Sequence, residues 1–264
     1  MLLTIYSTQN TDIQTKTENE FEKSKYSLAS KNGGNSSQAA MVIIDHKTGY
    51  VTGCTGGLGK KTEPRSLNRA TQSIRQTGSA IKPIAVLAPA ISKKMITAAS
   101  IYDDTERDFA EGYHPTDYNP SLGKVTVRRA VESSQNIPFV EIMEKLKPSK
   151  SIKFLEKMGV TTLTEEDNNL VLALGGLQKG ISPLEMAGAY ATIANDGVYI
   201  EPTFYNKIEN KNGTLIIKSK KRSRRVFSKE VAYILKELLT QPVTGTNGTA
   251  TYCAISGIDV AAKT

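Results

Sequence analysis

Histidine and cysteine are nearly absent from this chain, and that scarcity narrows its chemistry. Among 264 residues there are two histidines, His46 and His114, and two cysteines, Cys54 and Cys253. Two histidines exclude a three-histidine metal site and leave a serine–histidine–aspartate triad little to build on. The cysteines lie far apart and match no metal-ligand spacing, so two free thiols are the default reading and no disulfide can be assigned from spacing. Neither a metal nor a cofactor is expected. Long apolar runs are missing too: the stretches Ala39–Ile44 and Ile81–Ile91 are too short to cross a bilayer. The opening MLLTIYS lacks the basic and long apolar regions of a signal peptide, so any targeting element or anchor is expected outside this sequence. No aromatic residues interleave the basic ones in the way that would support nucleic-acid binding.

What is present is an ordinary globular composition, 39% hydrophobic and 23% charged, with a net charge of +8. Much of the excess sits in KSKKRSRR (Lys218–Arg225). It reads as a solvated loop between a strand and a helix; attraction to an anionic polymer or lipid surface is the sharper alternative. The pattern along the chain predicts a strand over residues 2–7 and a polar helix within Thr8–Ser24. A hairpin of Ala39–Asp45 and Tyr50–Cys54 turns at HKTG. A short helix is expected within Leu67–Gln76, and a buried one over Ser79–Lys93 despite Pro83 and Pro89. Tyr102–Gly123 reads as a long irregular excursion, a kind of loop that is often functional. Three helical pieces follow between Val125 and Met158, broken near Ser134–Pro138 and at Pro148. Further helices are predicted over Ile181–Asp196 and Ser228–Thr240, a hairpin around Asn210–Gly213, and a new strand within Ser256–Thr264. Strands bracketing a helical middle point to an α/β layer structure.

With histidine scarce, attention moves to lysine as a base for a nucleophile. Serine attacks only when a base takes its proton, and lysine can do this when burial or a nearby cation lowers its pKa. Serine and lysine three residues apart share one face of a helix. This S-x-x-K spacing occurs at Ser79–Lys82 and at Ser121–Lys124. Ser121-Leu-Gly-Lys124 follows Asn119-Pro120 in a loop with a glycine inside it, so nothing holds the pair together. Ser79 follows Gly78 and opens an apolar helix, whose N-terminal dipole favours a developing alkoxide. Companion patterns are equally short. S-x-N occurs at Ser30–Asn32, Ser66–Asn68 and Ser134–Asn136; K-T-G occurs at Lys47–Gly49, and K-T at Lys263-Thr264. S-x-x-K, S-D-N and K-T-G together mark penicillin-binding proteins and class A β-lactamases.

Longer strings make a resemblance specific. LNRATQSIRQTGSAIKPIAVLAPAI resembles the active-serine segment of class A penicillin-binding proteins, and AVESSQNIPFVEIMEKL resembles their S-x-N segment. LALGGLQKGISPLEMAGAYATIANDGVYIEP is similar to a distinctive non-catalytic block of that family, and TGTNGTATYCAISGIDVAAKT to the approach to its K-T-G strand. MLLTIYSTQNTDIQ and AMVIIDHKTGYVTGCTGG look like the family's linker strand and first hairpin, so the likeness runs in order along almost the whole chain. It implies a β-lactamase/transpeptidase-like α/β fold, a mainly antiparallel sheet covered by helices. Residues 1–38 would lead into a transpeptidase domain over 39–264. It also implies a domain cut at its K-T-G motif, before the C-terminal strands and helix, with a glycosyltransferase domain and membrane anchor upstream of the chain. A piece so cut would fold poorly and acylate weakly.

The same resemblance assigns roles. Ser79 is the nucleophile and Lys82 its base. Ser134 relays a proton to the leaving amine, although Ser133 beside it competes for that role. Asn136 holds Lys82 and the substrate amide, while Lys263 and Thr264 bind the substrate carboxylate. The implied partners are peptidoglycan stem peptides ending in D-Ala-D-Ala, and β-lactams that mimic them; no nucleic acid is implied. The place of action is the outer face of a bacterial cell membrane. Two other readings compete: an inactive fragment or non-catalytic penicillin-binding scaffold, and a β-lactamase or β-lactam sensor whose deacylating group would lie in Glu165–Asn169.

Overall fold

A computed structural model describes residues 2–29, 33 and 36–264. In chain order the elements are β1 (Leu3–Ser7), α1 (Thr11–Phe21), β2 (Met41–Asp45), β3 (Tyr50–Thr55), α2 (Arg69–Gln72), α3 (Ala88–Ser92), β4 (Ile101–Asp103) and β5 (Lys124–Thr126). They continue with α4 (Val127–Glu132), α5 (Ile137–Leu146), α6 (Pro148–Lys157), α7 (Pro183–Ala194), β6 (Val198–Ile200), β7 (Tyr205–Asn210), β8 (Leu215–Lys218), β9 (Ser223–Arg225) and α8 (Lys229–Thr244). The chain divides into two compact units. One comprises Met1–Ile74, Ile181–Ala191 and Tyr199–Arg224; the other comprises Arg75–Gly180, Thr192–Val198 and Arg225–Thr264. No helix among the described residues is long and apolar enough to cross a membrane.

The first unit holds the antiparallel sheets β1-β7-β8 and β2-β3. The HKTG turn closes the second, with Gly49 at φ +78° donating its N–H to the Asp45 carbonyl at 2.8 Å. Helix α1 starts at Asn10, whose side chain accepts from the Ile13 N–H at 3.1 Å. It lies on β3 at Gly53, where a Cβ would sit 3.0 Å from Ile13, so a residue without a side chain lets helix and strand approach.

The second unit is built around one buried helical stretch, residues 78–92. Ile81, Ile84, Leu87 and the alanines between and beyond them are fully buried. Each large apolar side chain contributes roughly 1.5–3 kcal/mol by leaving water. Its two prolines set its hydrogen bonding. Pro83 has no N–H for the Ser79 carbonyl, which instead receives the Lys82 N–H, closing a tight 3₁₀ turn over Gly78–Ile81. The next turn, Pro83–Leu87, is a wide π-turn. Pro89 leaves the Ala85 carbonyl without a helical donor, and the fully buried Ser151 hydroxyl of α6 donates to it at 2.6 Å. One hydroxyl on a neighbouring helix therefore satisfies the bond that a helix-interior proline removes.

Two expectations need correction. Residues 256–264 form no strand, because no strand among the described residues pairs with them; the tail has an isolated bridge between Ile255 and Ile258 and a bond from the Ala262 N–H to the Leu239 carbonyl at 2.9 Å. The basic run is not all loop, since Ser223–Arg225 is the short strand β9. Within it, Arg222 faces Glu201 at 3.6 Å and Arg224 lies over the Tyr199 ring.

Candidate active site

Ser79 sits in the 3₁₀ turn, half-buried, three residues before Lys82. At three residues per turn, positions i and i+3 eclipse one another, so the tight turn aligns this pair more closely than an α-helix does. Gly78 precedes it at φ +54°. Among the described residues, no hydrogen bond engages the Ser79 hydroxyl. Lys82 is fully buried. Its Nζ donates to the Ser134 carbonyl at 2.8 Å, the Gln135 carbonyl at 2.8 Å and Asn136 Oδ1 at 2.7 Å, and it lies 4.9 Å from the centre of the Phe139 ring. Burial pushes the Lys82 pKa well below the usual lysine range, with the Lys263 charge adding to the effect; Asp117 and Asp104 oppose it. The three oxygen acceptors favour the ammonium form, and the burial of Lys82 works against them.

The turn between α4 and α5 supplies those acceptors. Thr126 caps α4, and Ser134 ends it in the left-handed region at φ +60°, a strained conformation for a non-glycine residue. The structure separates the two competing serines. Ser133 turns back, and its hydroxyl donates to the Arg129 carbonyl of α4 at 3.0 Å. Ser134 Oγ instead accepts from Lys263 Nζ at 2.6 Å. Asn136 stands at the start of α5 without capping it; its Oδ1 is spent on Lys82, and its Nδ2 donates to the Thr116 carbonyl at 2.7 Å. Lys263, whose pKa burial lowers to about 8, also donates to the Thr264 carbonyl at 2.6 Å. The Thr264 hydroxyl donates to Thr249 Oγ1 at 2.7 Å. Ser79, Lys82, Ser134, Asn136, Lys263 and Thr264 all belong to the second compact unit, and hydrogen bonds chain Lys82, Asn136, Ser134, Lys263 and Thr264 together.

The other short patterns are spent on local structure. The Ser121 hydroxyl donates to the Asp104 carbonyl at 2.7 Å, and Lys124 is exposed on β5. Lys47 is exposed at the β2-β3 turn, and Thr48 donates to Asp45 Oδ2 at 2.8 Å. Asn68 caps α2 by accepting from the Ala70 N–H at 3.0 Å. Ser30–Asn32 lies outside the described residues. Glu165 and Glu166 are exposed, Asp167 accepts from the Gln178 N–H at 2.8 Å and from Thr164, and Asn169 caps the following turn. Cys54 and Cys253 are free thiols, and burial raises the Cys54 pKa.

Sequence reasoning missed Gln135, Thr116, Thr249, Asp104 and Asp117. It also missed what the LGGLQKG block does. A Cβ on Gly175 (φ +79°) would collide with the Gly78 backbone, and one on Gly180 (φ +104°) with the Arg75 backbone. Gln76 Nε2 donates to the Leu177 carbonyl at 3.4 Å. The glycines let this block lie directly against the residues that lead into Ser79. A pair of glycines at close-approach positions, beside a helix that opens on a serine, was the available signal.

This architecture is that of a penicillin-interactive transpeptidase domain. Its fold matches the D,D-transpeptidase domain of a peptidoglycan glycosyltransferase from Eggerthella lenta with a TM-score of 0.78 and 21% identity, covering 98% of this chain and 70% of that one. The PonA1 protein from Mycobacterium tuberculosis, solved in complex with penicillin V, matches with a TM-score of 0.74 and 24% identity over 90% of this chain and 62% of that one. Residues 39–264 match the family described as the penicillin binding protein transpeptidase domain, and the chain belongs to that family. Penicillin-binding protein 1A of Clostridium acetobutylicum is 34% identical over 279 residues, covering 99% of this chain and 34% of that protein. Penicillin-binding protein 1F of Bacillus subtilis is 36% identical over 228 residues, 86% of this chain and 30% of that protein. The chain thus spans about a third of the length of these curated relatives.

Proposed function

We propose that this chain carries the acylation chemistry of a serine D,D-transpeptidase, with Ser79 as nucleophile, and that penicillin and other β-lactams acylate the same serine. The observation that carries the reading is Lys82: a fully buried lysine, one 3₁₀ turn from an unengaged serine hydroxyl, with three oxygen acceptors from the Ser134–Asn136 turn. Lys82, as the neutral amine that its burial favours, takes the Ser79 proton on its nitrogen lone pair, and Ser79 Oγ attacks the penultimate D-alanyl carbonyl of a stem peptide. The oxygen of the tetrahedral intermediate is met by the Ser79 N–H. Ser134, held by Lys263, passes a proton to the departing D-alanine nitrogen as the peptide bond breaks. An amine of a neighbouring peptide then takes the acyl group, which makes a cross-link, and Ser79 recovers its proton.

Asn136 fixes Lys82 and offers its amide to the substrate. The Lys263 ammonium and the Thr264 hydroxyl bind the substrate's terminal carboxylate, a charge-assisted pairing. We assign residues 1–38 to a leading segment and 39–264 to the transpeptidase domain, working on the outer face of a bacterial cell membrane. The exposed, locally bonded Glu165–Asn169 turn gives the β-lactamase reading no support, because none of its side chains reaches the Lys82 cluster through a hydrogen bond. Release of D-alanine from a short peptide ending in D-Ala-D-Ala tests the proposal. Release by the unsubstituted chain, absent in Ser79→Ala, supports it; equal release by both proteins contradicts it.

A further inference from the structure

Two carboxyl groups beside the Lys82 cluster each keep one buried oxygen without a partner, Asp104 Oδ1 and Asp117 Oδ2. Asp104 is fully buried just after β4. Its Oδ2 accepts from the Leu122 N–H at 2.8 Å and from Gln135 Nε2 at 2.5 Å. Asp117 spends Oδ1 on the Asn136 N–H. The remaining two oxygens belong to side chains within hydrogen-bond reach of each other. Two ionised carboxylates cannot make that bond, but a carboxyl and a carboxylate can.

We propose that Asp104 and Asp117 share one proton, and that this carboxyl–carboxylate bond fastens the excursion Tyr102–Gly123 to the Ser134–Asn136 turn, making both aspartates positioning residues for Lys82. The geometry ties each acid to one of two consecutive residues that hold the lysine: Asp104 to Gln135, and Asp117 to Asn136. One proton thereby couples both attachments. Burial, then the charge of Asp104 and the bond to it, push the Asp117 carboxyl up to about 6, against the lowering effects of the Asn136 N–H and Lys82. The charged groups acting on Asp117 are Asp104, from the end of β4, and Lys82, from the nucleophile helix; Lys263 acts in turn on Lys82. When the shared proton leaves, the carboxylates repel, and the extra negative charge favours the Lys82 ammonium.

The sign of the pH effect follows from a raised folded-state pKa. The stabilising contribution is full below the unfolded carboxyl range, near 3.8, and is lost as pH rises through about 6. Urea unfolding of the 264-residue chain across this range provides the test. Unsubstituted protein loses midpoint as the pH rises, and Asp117→Asn or Asp104→Asn abolishes that limb, because each amide N–H replaces the shared proton. In the double variant the two amide N–H groups oppose each other, so its midpoint falls below the sum of the single effects. A limb that persists in both single variants, strict additivity, or a midpoint set by added magnesium rather than by protons overturns the proposal. A second readout rests on Lys82 acting as the base: the ratio of penicillin acylation rates, Asp117→Asn over unsubstituted, rises several-fold as the pH passes through about 6. A ratio independent of pH contradicts the link to Lys82. Absence of any acylation would count against the function proposed above, while the unfolding limb still decides whether the proton is shared.

Discussion

Ser79–Lys82 and Ser121–Lys124 carry the same residue spacing inside the same compact unit, yet they do opposite work. At Ser79 a proline-enforced 3₁₀ turn sets the serine one turn before the lysine, the lysine is completely buried, and the Ser134–Asn136 turn between α4 and α5 surrounds its Nζ with oxygens. At Ser121 the hydroxyl closes a loop onto the Asp104 carbonyl, and Lys124 projects from a short strand into solvent. Burial and the acceptors set the first pair apart, and spacing alone supplies neither. The second pair has a structural use all the same, since the Ser121–Leu122 loop helps hold Asp104, and Asp104 in turn holds Gln135.

The sharpest way to break this contrast is to remove each serine. Ser79→Ala is expected to abolish covalent labelling by a fluorescent penicillin, whereas Ser121→Ala keeps the label and loses about 1 kcal/mol of stability with its hydrogen bond. Equal labelling of the two variants would erase the distinction. Next come the lysines. Lys82→Met should slow acylation by about 10²–10⁴-fold, the usual value of a positioned base, while Lys124→Met changes stability by no more than about 0.5 kcal/mol; stopped-flow labelling and urea melts read both.

Glycines sharpen the contrast at smaller scale. Gly175 and Gly123 both have positive φ, so an added Cβ costs each about 1–2 kcal/mol of backbone strain. Only at Gly175 does that Cβ also meet the Gly78 backbone, whereas at Gly123 it meets open space. Gly175→Ala is therefore expected to lose more stability than Gly123→Ala and to slow labelling as well, compared by melting and acylation side by side.

The last contrast is a pH limb. Burial lowers the Lys263 pKa to about 8, so its stabilising contribution is whole above the unfolded lysine value of 10.5 and is lost as pH falls through about 8. Lys263→Met should flatten the unfolding midpoint across that window, and Lys124→Met should not. Binding of an anionic peptide should weaken above about pH 8 in the unsubstituted chain, as the Lys263 charge disappears.

Much of this site was legible in the sequence, because its key signals are local. Gly78 before a dense apolar run marked Ser79, and Pro138 marked the break that holds Ser134 and Asn136. The choice between Ser133 and Ser134 was not local. It depends on a left-handed residue at 134, which aims one hydroxyl back at α4 and the other at Lys263. Asp104, Asp117 and Thr116 were invisible for a related reason: they come from an irregular excursion, where no periodicity reports which side chain turns inward. The tail 256–264 misled because reading a strand from a short segment names no neighbour for it, and strand pairing needs one. Ser151 and the Ala85 carbonyl form a long-range pair of the same kind, unremarkable until the chain folds.

The most direct test of the account is to treat the 264-residue chain with penicillin V and locate the adduct by peptide mass mapping. A single lasting adduct on Ser79, with none on Ser121, Lys82 or Lys263, is the predicted result; an adduct on any other residue, or none at saturating penicillin, would contradict it.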